Sequence, residues 1–305
     1  MTVALLGAPD DPQIAAVRAA LNDRSVESVV WDADRWPGDA PLTFEAADGA
    51  SATVGDDVSL TDLNAVYLRR MALDPRGPEF EGELEERPYS LMNQLREYRG
   101  LLGSILRHLS DAGVRVVNPP EASRLHSLKP YQIAVFEDAG VPVPETLATN
   151  DPSAVRAFLD RVGDVVYKPV AGGGHARRLT PEDCTDERLS RLSNAPVQFQ
   201  ERLDGTNYRL YVVGGEVAAT GRIESDELDY RLGEHEVVSG SLSDAVERAA
   251  VRAASLLDLP FAGVDVVLTD DGFGVLEANP SPMFAAFDER AGTDVAGYLA
   301  AHLAE

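Results

Sequence analysis

Two of the 305 residues are lysines, Lys129 and Lys168; the other 25 of the 27 basic residues are arginines. A chain that writes arginine almost everywhere keeps lysine where a compact, flexible ammonium serves and a planar guanidinium fork does not. Closely packed phosphate oxygens make that demand. Lys168 opens the run Lys168-Pro169-Val170-Ala171-Gly172-Gly173-Gly174. Consecutive glycines let backbone amides approach phosphate oxygens, although a glycine run alone is equally an ordinary loop. It is not a Walker loop, because no Gly-Lys-Ser/Thr follows. Arg177 and Arg178 come shortly after and add weight to the phosphate reading.

A second cluster lies near the end of the chain. Gly263-Val264-Asp265-Val266-Val267-Leu268 leads through the turn Thr269-Asp270-Asp271-Gly272 into Phe273 to Asn279, and Pro280-Ser281-Pro282 follows. Side chains alternate along a strand, so Glu277 and Asn279 point the same way, and folding the hairpin brings Asp265 opposite Glu277 to within about one residue. Unpaired carboxylates among apolar neighbours are costly. Two carboxylates and an amide oxygen suit Mg2+, which commonly takes one or two carboxylates plus substrate phosphates; Mn2+ is the alternative metal. The competing reading is a pair of acids on the exposed face of an edge hairpin. Lysines, glycine loop and late carboxylates together describe a site for a nucleoside triphosphate and its metal.

Two further stretches extend that site. Gln198-Phe199-Gln200-Glu201-Arg202-Leu203 leaves a strand as a hinge whose backbone could pair with an adenine edge. Arg209 and Arg222 fall on adjacent strands, expected to aim at one face, where guanidinium forks suit a transferring phosphoryl group or an acyl phosphate. Surface ion pairing among many acids is the alternative for both.

The elements that must position these residues alternate in type. Strand signals over 3–6, 28–31, 65–68 and 114–117 are separated by helix signals over 12–21 and 88–112, with a polar hairpin over 41–58 and a Pro/Gly-rich loop around 74–78. The longer helix carries Leu91, Leu95, Leu102, Ile105 and Leu109 near helical spacing and stops at Gly113. Such alternation implies an α/β fold with a mainly parallel sheet, and the absence of a Gly-x-Gly-x-x-Gly after the first strand leaves no dinucleotide site there. Asn118-Pro119-Pro120 marks a boundary between domains 1–117 and 118–305. Beyond it come a helix starting near Lys129, strands over 145–148, 165–168 and 197–202, and a helix capped by Asp151 with Pro152 at its first position. The stretch 145–198 is small enough to be a lid over a nucleotide. Strands 208–213 and 217–222 around Gly214-Gly215, a helix over 242–257, the acidic hairpin and a terminal helix complete the chain.

Bulk composition narrows the partners. The chain is 44% hydrophobic and 26% charged, as globular proteins are, with a net charge of −24 from 27 basic and 51 acidic residues. That surface repels nucleic acid and anionic membranes, and no basic stripe offsets it. Neither is expected as a partner. The acids are dispersed, which describes a solvated surface, and with lysine so scarce they suit a salt-rich, halophilic cytoplasm. One cysteine, Cys184, excludes an internal disulfide framework and a cysteine-based zinc site. No apolar run approaches the ~20 residues of a membrane span, and the N-terminus lacks a signal-peptide pattern, so a cytoplasmic location is expected.

The order Lys129, Lys168 with its glycine loop, Gln200-Glu201-Arg202-Leu203, Arg209, Asp265, then Glu277-x-Asn279-x-Ser281-Pro282 resembles the ATP-grasp superfamily over residues 118–305. Within it the chain is similar to carboxylate–amine ligases of the RimK type. The resemblance implies an N-terminal α/β pre-ATP-grasp domain followed by an ATP-grasp fold made of a small lid subdomain and a C-terminal α+β subdomain. It implies that Lys129, Lys168, Gly172, Gly173 and Gly174 meet the phosphates of ATP, that Gln200, Glu201, Arg202 and Leu203 hold adenine, and that Asp265, Glu277 and Asn279 carry magnesium. Arg209 and Arg222 would meet the reacting acyl phosphate. The implied activity is amide formation between a carboxylate of a small molecule, peptide or protein terminus and an amine such as an amino acid, with glutamate the first expectation; related ligases often assemble into oligomers.

Two departures concern the acceptor. Asp229-Tyr230-Arg231 is followed by Leu232-Gly233 and not shortly by asparagine, and Asn207-Tyr208-Arg209 stands where Asp-x-Arg is usual. Lys129-Pro130-Tyr131-Gln132 with Thr149-Asn150-Asp151-Pro152 also resembles ATP-grasp enzymes that cyclise ribosomal peptides through side-chain amide or ester bonds, the alternative substrate class. An ATP-grasp kinase and a non-catalytic nucleotide sensor are the rivals from other classes. Arg69 and Arg70, just past a strand end, either reach the acceptor's carboxylate or form a surface pair.

Overall fold

The computed structural model describes residues 1–32, 42–45, 51–54, 58–70, 80–172, 174–224 and 236–305. The loop expected at 74–78, Gly173 and the segment Asp229-Tyr230-Arg231-Leu232-Gly233 lie outside the described residues. The chain divides into two compact units, Met1–Ser123 with Met283–Ala286 and Ala296–Glu305, and Arg124–Pro282 with Phe287–Val295. No single cut in the sequence describes this division, because two C-terminal segments belong with the first unit.

In the first unit, β1 (Thr2–Gly7), α1 (Pro12–Asp23) and β2 (Glu27–Asp32) are followed by a small antiparallel sheet of β3 (Leu42–Glu45), β4 (Ser51–Val54) and β5 (Val58–Ser59). Then come β6 (Leu63–Leu68), α2 (Glu81–Glu86), α3 (Pro88–Asp111) and β7 (Arg115–Val117). A parallel sheet runs in the order β2-β1-β6-β7. Its central strand holds Val3, Ala4, Leu5 and Leu6 wholly buried, the continuous apolar run that a strand covered on both faces requires. On α3, Leu91, Leu95, Leu102, Ile105, Leu106 and Leu109 join a core with Leu6, Trp31 and Val66. Pro88 begins that helix, where a missing amide is harmless, and Gly113 at φ +91° follows its end.

The second unit opens with α4 (Lys129–Asp138), β8 (Thr146–Thr149), α5 (Pro152–Val162), β9 (Val165–Pro169), β10 (Arg177–Arg178), α6 (Asp186–Ser190) and β11 (Val197–Glu201). Strands β10-β9-β11-β8 form an antiparallel sheet. One face carries its own core of Val155, Phe158, Val165, Leu189, Leu192 and Phe199. Asp151 caps α5, its Oδ1 accepting from Ser153 N at 2.8 Å. Next are β12 (Thr206–Val213), β13 (Glu216–Glu224), β14 (Glu236–Ser239), α7 (Asp244–Leu256), β15 (Phe261–Thr269) and β16 (Gly272–Asn279). The chain ends with α8 (Ala285–Ala291), most of it counted with the second unit, and α9 (Val295–Leu303), nearly all of it counted with the first. The five strands make an antiparallel sheet in the order β14-β13-β12-β15-β16. Gly214 and Gly215, at φ +57° and +87°, turn the β12–β13 hairpin, as a tight primed turn demands.

The expected elements are therefore present, shifted by a residue or two at their ends. Three strands are additions: β5 and β10 span two residues each, too short for any periodicity to register, and β14 spans four. Among the described residues no helix is long and apolar enough to cross a membrane.

Candidate active site

The acidic hairpin owes its geometry to one extra residue. Counting back from the β15–β16 turn, Thr269 pairs with Gly272, Leu268 with Phe273, Val267 with Gly274 and Val266 with Val275. A regular ladder would next set Leu276 opposite Asp265 and turn Glu277 to the other face. Instead the register shifts between Asp265 and Val266, and Asp265 pairs with Glu277. Leu276 is absorbed as a bulge. A one-residue slip moves a side chain to the opposite face of a sheet, so the bulge places both carboxylates on one side, with Asn279 two residues beyond.

On the other side of β15, Asp265 pairs in register with Arg209 of β12. The guanidinium grips the carboxylate with both arms, Nε to Oδ1 at 2.7 Å and Nη2 to Oδ2 at 2.8 Å. Lys129, the first residue of α4, donates to Glu277 Oε2. These four side chains are only 10–19% exposed. Burial alone pushes the Glu277 carboxyl up, but the ammonium groups of Lys129 and Lys168 and the Arg209 guanidinium outweigh it and hold the group below the usual carboxylate range. Lys129, Lys168, Arg209, Asp265 and Glu277 thus share one electrostatic site. Three cations against two carboxylates leave it one positive charge, a setting for a polyanion that arrives with a divalent ion.

The glycine loop passes close to Lys129. A Cβ at Gly172, whose φ is +80°, would lie 3.4 Å from His126 Nε2 and 3.8 Å from Lys129 Cε. At Gly174 it would lie 2.7 Å from Pro169 Cγ, closer than side chains pack. In the hinge, Gln200 is buried and its Nε2 donates to Thr146 Oγ1 at 2.9 Å. Glu201 N donates to Glu145 O at 2.8 Å and Arg202 N to Asp164 O at 2.9 Å. Leu203 packs over β16, where a Cβ at Gly274 would lie 2.5 Å from its Cδ1.

Several expected site residues are engaged elsewhere. Arg222 pairs in register with Tyr208, one step from Arg209, so the two arginines do not aim at one face of the sheet; the Arg222 guanidinium bonds Glu224. Arg178 binds both oxygens of Asp164 at 2.9 Å, and the Arg202 side chain bridges Asp164 and Asp204 at 3.1 Å each. Both knit the lid together. Arg69 bonds Asp11, the N-cap of α1, at 2.8 Å within the first unit.

Gln132 was not foreseen as a site residue. It is buried one helical turn after Lys129, its Oε1 accepts from Ala278 N at 2.9 Å, and its Nε2 donates to Leu125 O at 2.8 Å. Ala278 separates Glu277 from Asn279, so this amide fixes the carboxylate strand to the helix that carries Lys129. A polar residue beside the buried Ile133 and Phe136 was the available signal.

The residues present fit a magnesium ion. All three candidate ligands offer hard oxygens, and Asn279 Oδ1, which accepts from Ser281 N at 3.0 Å, keeps a second lone pair. Among the described residues no group of three His, Cys, Asp or Glu side chains converges. Protein atoms alone therefore do not form a cage, and an ion held by Asp265, Glu277 and Asn279 would complete its shell with phosphate and water, as Mg2+ does.

Two stability measurements check this geometry. Removing one member of a buried ion pair strands its partner, so Arg209→Leu should cost about 3 kcal/mol in denaturant unfolding, and adding Asp265→Leu should recover much of the loss. Gln132→Leu leaves Ala278 N and Leu125 O unpaired and should cost about 2 kcal/mol or more. Gln132→Glu keeps an acceptor for Ala278 N but sets a buried carboxylate oxygen against Leu125 O, and should cost at least as much.

Residues 128–303, more than half of the chain, match the RimK-like ATP-grasp domain. Beta-citrylglutamate synthase B of Homo sapiens is 29% identical over 219 residues, 66% of this chain and 56% of that protein; the chain spans little more than half of that synthase's length. A probable alpha-L-glutamate ligase of Aliivibrio salmonicida (strain LFI1238) is 29% identical over 263 residues, 82% of this chain and 87% of that protein. Among solved structures, the ATP-grasp ligase PsnB complexed with a phosphomimetic variant of a minimal precursor, Mg and ADP superposes with a TM-score of 0.89 at 38% identity, covering 99% of this chain and 97% of that one. The macrocyclase MdnC bound with precursor peptide MdnA from Microcystis aeruginosa MRC has a TM-score of 0.82 at 23% identity, a likeness of fold, over 100% of both chains. The chain belongs to the RimK-like ATP-grasp family.

Proposed function

We propose that this chain is an ATP- and Mg2+-dependent ligase that activates a carboxylate of a peptide precursor as an acyl phosphate and joins it to an amine. The observation that carries the ligase reading is the cross-strand row Arg209–Asp265–Glu277 with Lys129 and Lys168 acting on the same carboxylate. The peptide reading draws on 38% identity over 99% of the chain to a ligase solved with a precursor, Mg and ADP. Single amino-acid ligation, with glutamate as the amine, is the second reading, favoured by 29% identity over 82% of the chain to a probable glutamate ligase.

In this reading Lys129 and Lys168 hold the phosphate oxygens, and Asp265, Glu277 and Asn279 hold the magnesium ion, which when bound neutralises phosphate charge. Asp265 fixes the plane of the Arg209 guanidinium, so its donors face a transferring phosphoryl group without reorganising during the reaction. The peptide carboxylate takes the γ-phosphoryl group and ADP departs. The amine then attacks the acyl carbon and inorganic phosphate leaves, losing one water overall from the joined partners. No side-chain nucleophile is required.

The purified chain, given ATP, Mg2+ and acidic peptides with lysine, should release ADP and phosphate and yield a peptide lighter by one water per bond. Glu277→Gln should slow phosphate release by about 100-fold or more; undiminished turnover would remove the metal assignment. A phosphorylated peptide without free phosphate would instead identify a kinase. Glutamate added to the peptide would select the second reading, and nucleotide binding without turnover would identify a sensor.

A further inference from the structure

The lid sheet holds a buried polar side chain that the described residues leave unserved. Gln198, in the middle of β11, is 0% exposed, and among the described residues neither its amide oxygen nor its amide nitrogen has a hydrogen-bond partner. Buried side-chain polar atoms are paired in the large majority of cases, and an amide closed to solvent cannot draw on bulk water. A methionine would fill much the same volume with no donor or acceptor to satisfy. The amide therefore calls for a partner of its own.

Its position narrows that partner. Val197 and Phe199 pack into the lid's apolar core, so alternation turns Gln198 and Gln200 to the opposite face. There Gln198 lies cross-strand from Lys168 on one side and Ala148 on the other. It is two residues from the start of the hinge at Gln200. Gln200 is already bonded to Thr146, which leaves Gln198 as the amide of this face with both halves unpaired.

Its chemistry narrows the partner further. Both halves are satisfied together by a group that offers a donor beside an acceptor. Phosphate oxygens are acceptors only and would serve Nε2 alone. The N6 amino group and N7 of adenine present the required pair, the edge that glutamine and asparagine read in bidentate fashion. Guanine presents O6 and N7, two acceptors, and would set O6 against the amide oxygen.

We propose that Gln198 reads the amino edge of adenine and is a determinant of ATP over GTP. This rests on the nucleotide reading above and adds to it a specificity residue inside the lid. Because the amide is enclosed, contact with the ring requires its side chain or the lid face to shift on binding.

Equilibrium binding tests the assignment without turnover. Titration calorimetry with Mg2+ would compare ATP, GTP and purine riboside triphosphate, which lacks the amino group, on the parent, Gln198→Met and Gln198→Glu, with thermal melts to verify folding. The parent should prefer ATP to both analogues. Gln198→Met should bind ATP about 10- to 100-fold more weakly and lose most of its preference over both. Gln198→Glu, which keeps an acceptor for the amino group, should fall between. If Gln198→Met retains the parent's ATP affinity and discrimination, the inference is overturned and an enclosed water satisfies the amide, while the ligase reading stands. If the parent itself binds no ATP, both fall together.

Discussion

The site rests on a balance of charge held at low exposure. Asp265 and Glu277 lie side by side on one face of an antiparallel sheet, and each is answered by a cation, Arg209 for the first and Lys129 for the second. Removing such groups from water is costly, and their mutual attraction repays the cost only where geometry is good. The two-armed Arg209–Asp265 contact meets that condition. The single ammonium on Glu277 is reinforced from a distance by Lys168 and Arg209. In the proposed reading, Lys129 would exchange a carboxylate oxygen for a phosphate oxygen while Glu277 exchanges an ammonium for the metal. Each group would keep a partner of opposite charge through that exchange, so the site can be assembled before its ligands arrive.

Three devices hold the balance in place, and each belongs to a different level of structure. The bulge at Leu276 sets the register of the acidic pair. The Gln132 amide ties the strand between Glu277 and Asn279 to α4, so the carboxylate and its ammonium are fixed by a common clamp. The lid sheet, with a core of its own, carries Lys168 and its glycine loop as a body whose internal ion pairs at Asp164 involve both Arg178 and Arg202.

Much of this was legible in the sequence because the signals were local. Alternation and turn residues located both site hairpins, and residue type together with spacing nominated Asp265, Glu277, Asn279 and the two lysines. Face assignments were less legible, because they depend on register. Arg209 and Arg222 look equivalent on adjacent strands, yet pairing Arg222 with Tyr208 separates them. Counting from the turn cannot decide whether Leu276 or Glu277 faces Asp265 unless the bulge is known. Arginines were the hardest to apportion. With 51 acidic residues in the chain, any guanidinium can find a carboxylate near it, and only coordinates separate Arg209, which orders a candidate ligand, from Arg202 and Arg178, which order the lid. Gln132 and Gln198 illustrate a related limit: a glutamine's role is written in what its amide touches, or fails to touch, and neither is a property of sequence spacing.

The scarcity of lysine acquires a physical meaning from the same geometry. Taken alone, two lysines among 27 basic residues could be a matter of composition. Yet both act on one carboxylate, Glu277, from different elements, one at the start of α4 and one on the lid strand β9. The first position of a helix is a poor place for a cation, since the backbone amides there already present positive charge. Lys129 sits there buried, with Glu277 as its counterweight. An arginine at either place would bring a rigid fork that demands a planar, two-oxygen partner, and on this face Asp265 already offers that surface to Arg209. A compact ammonium, free to turn from carboxylate to phosphate without breaking a bidentate contact, is what the proposed exchange of partners at Glu277 would require.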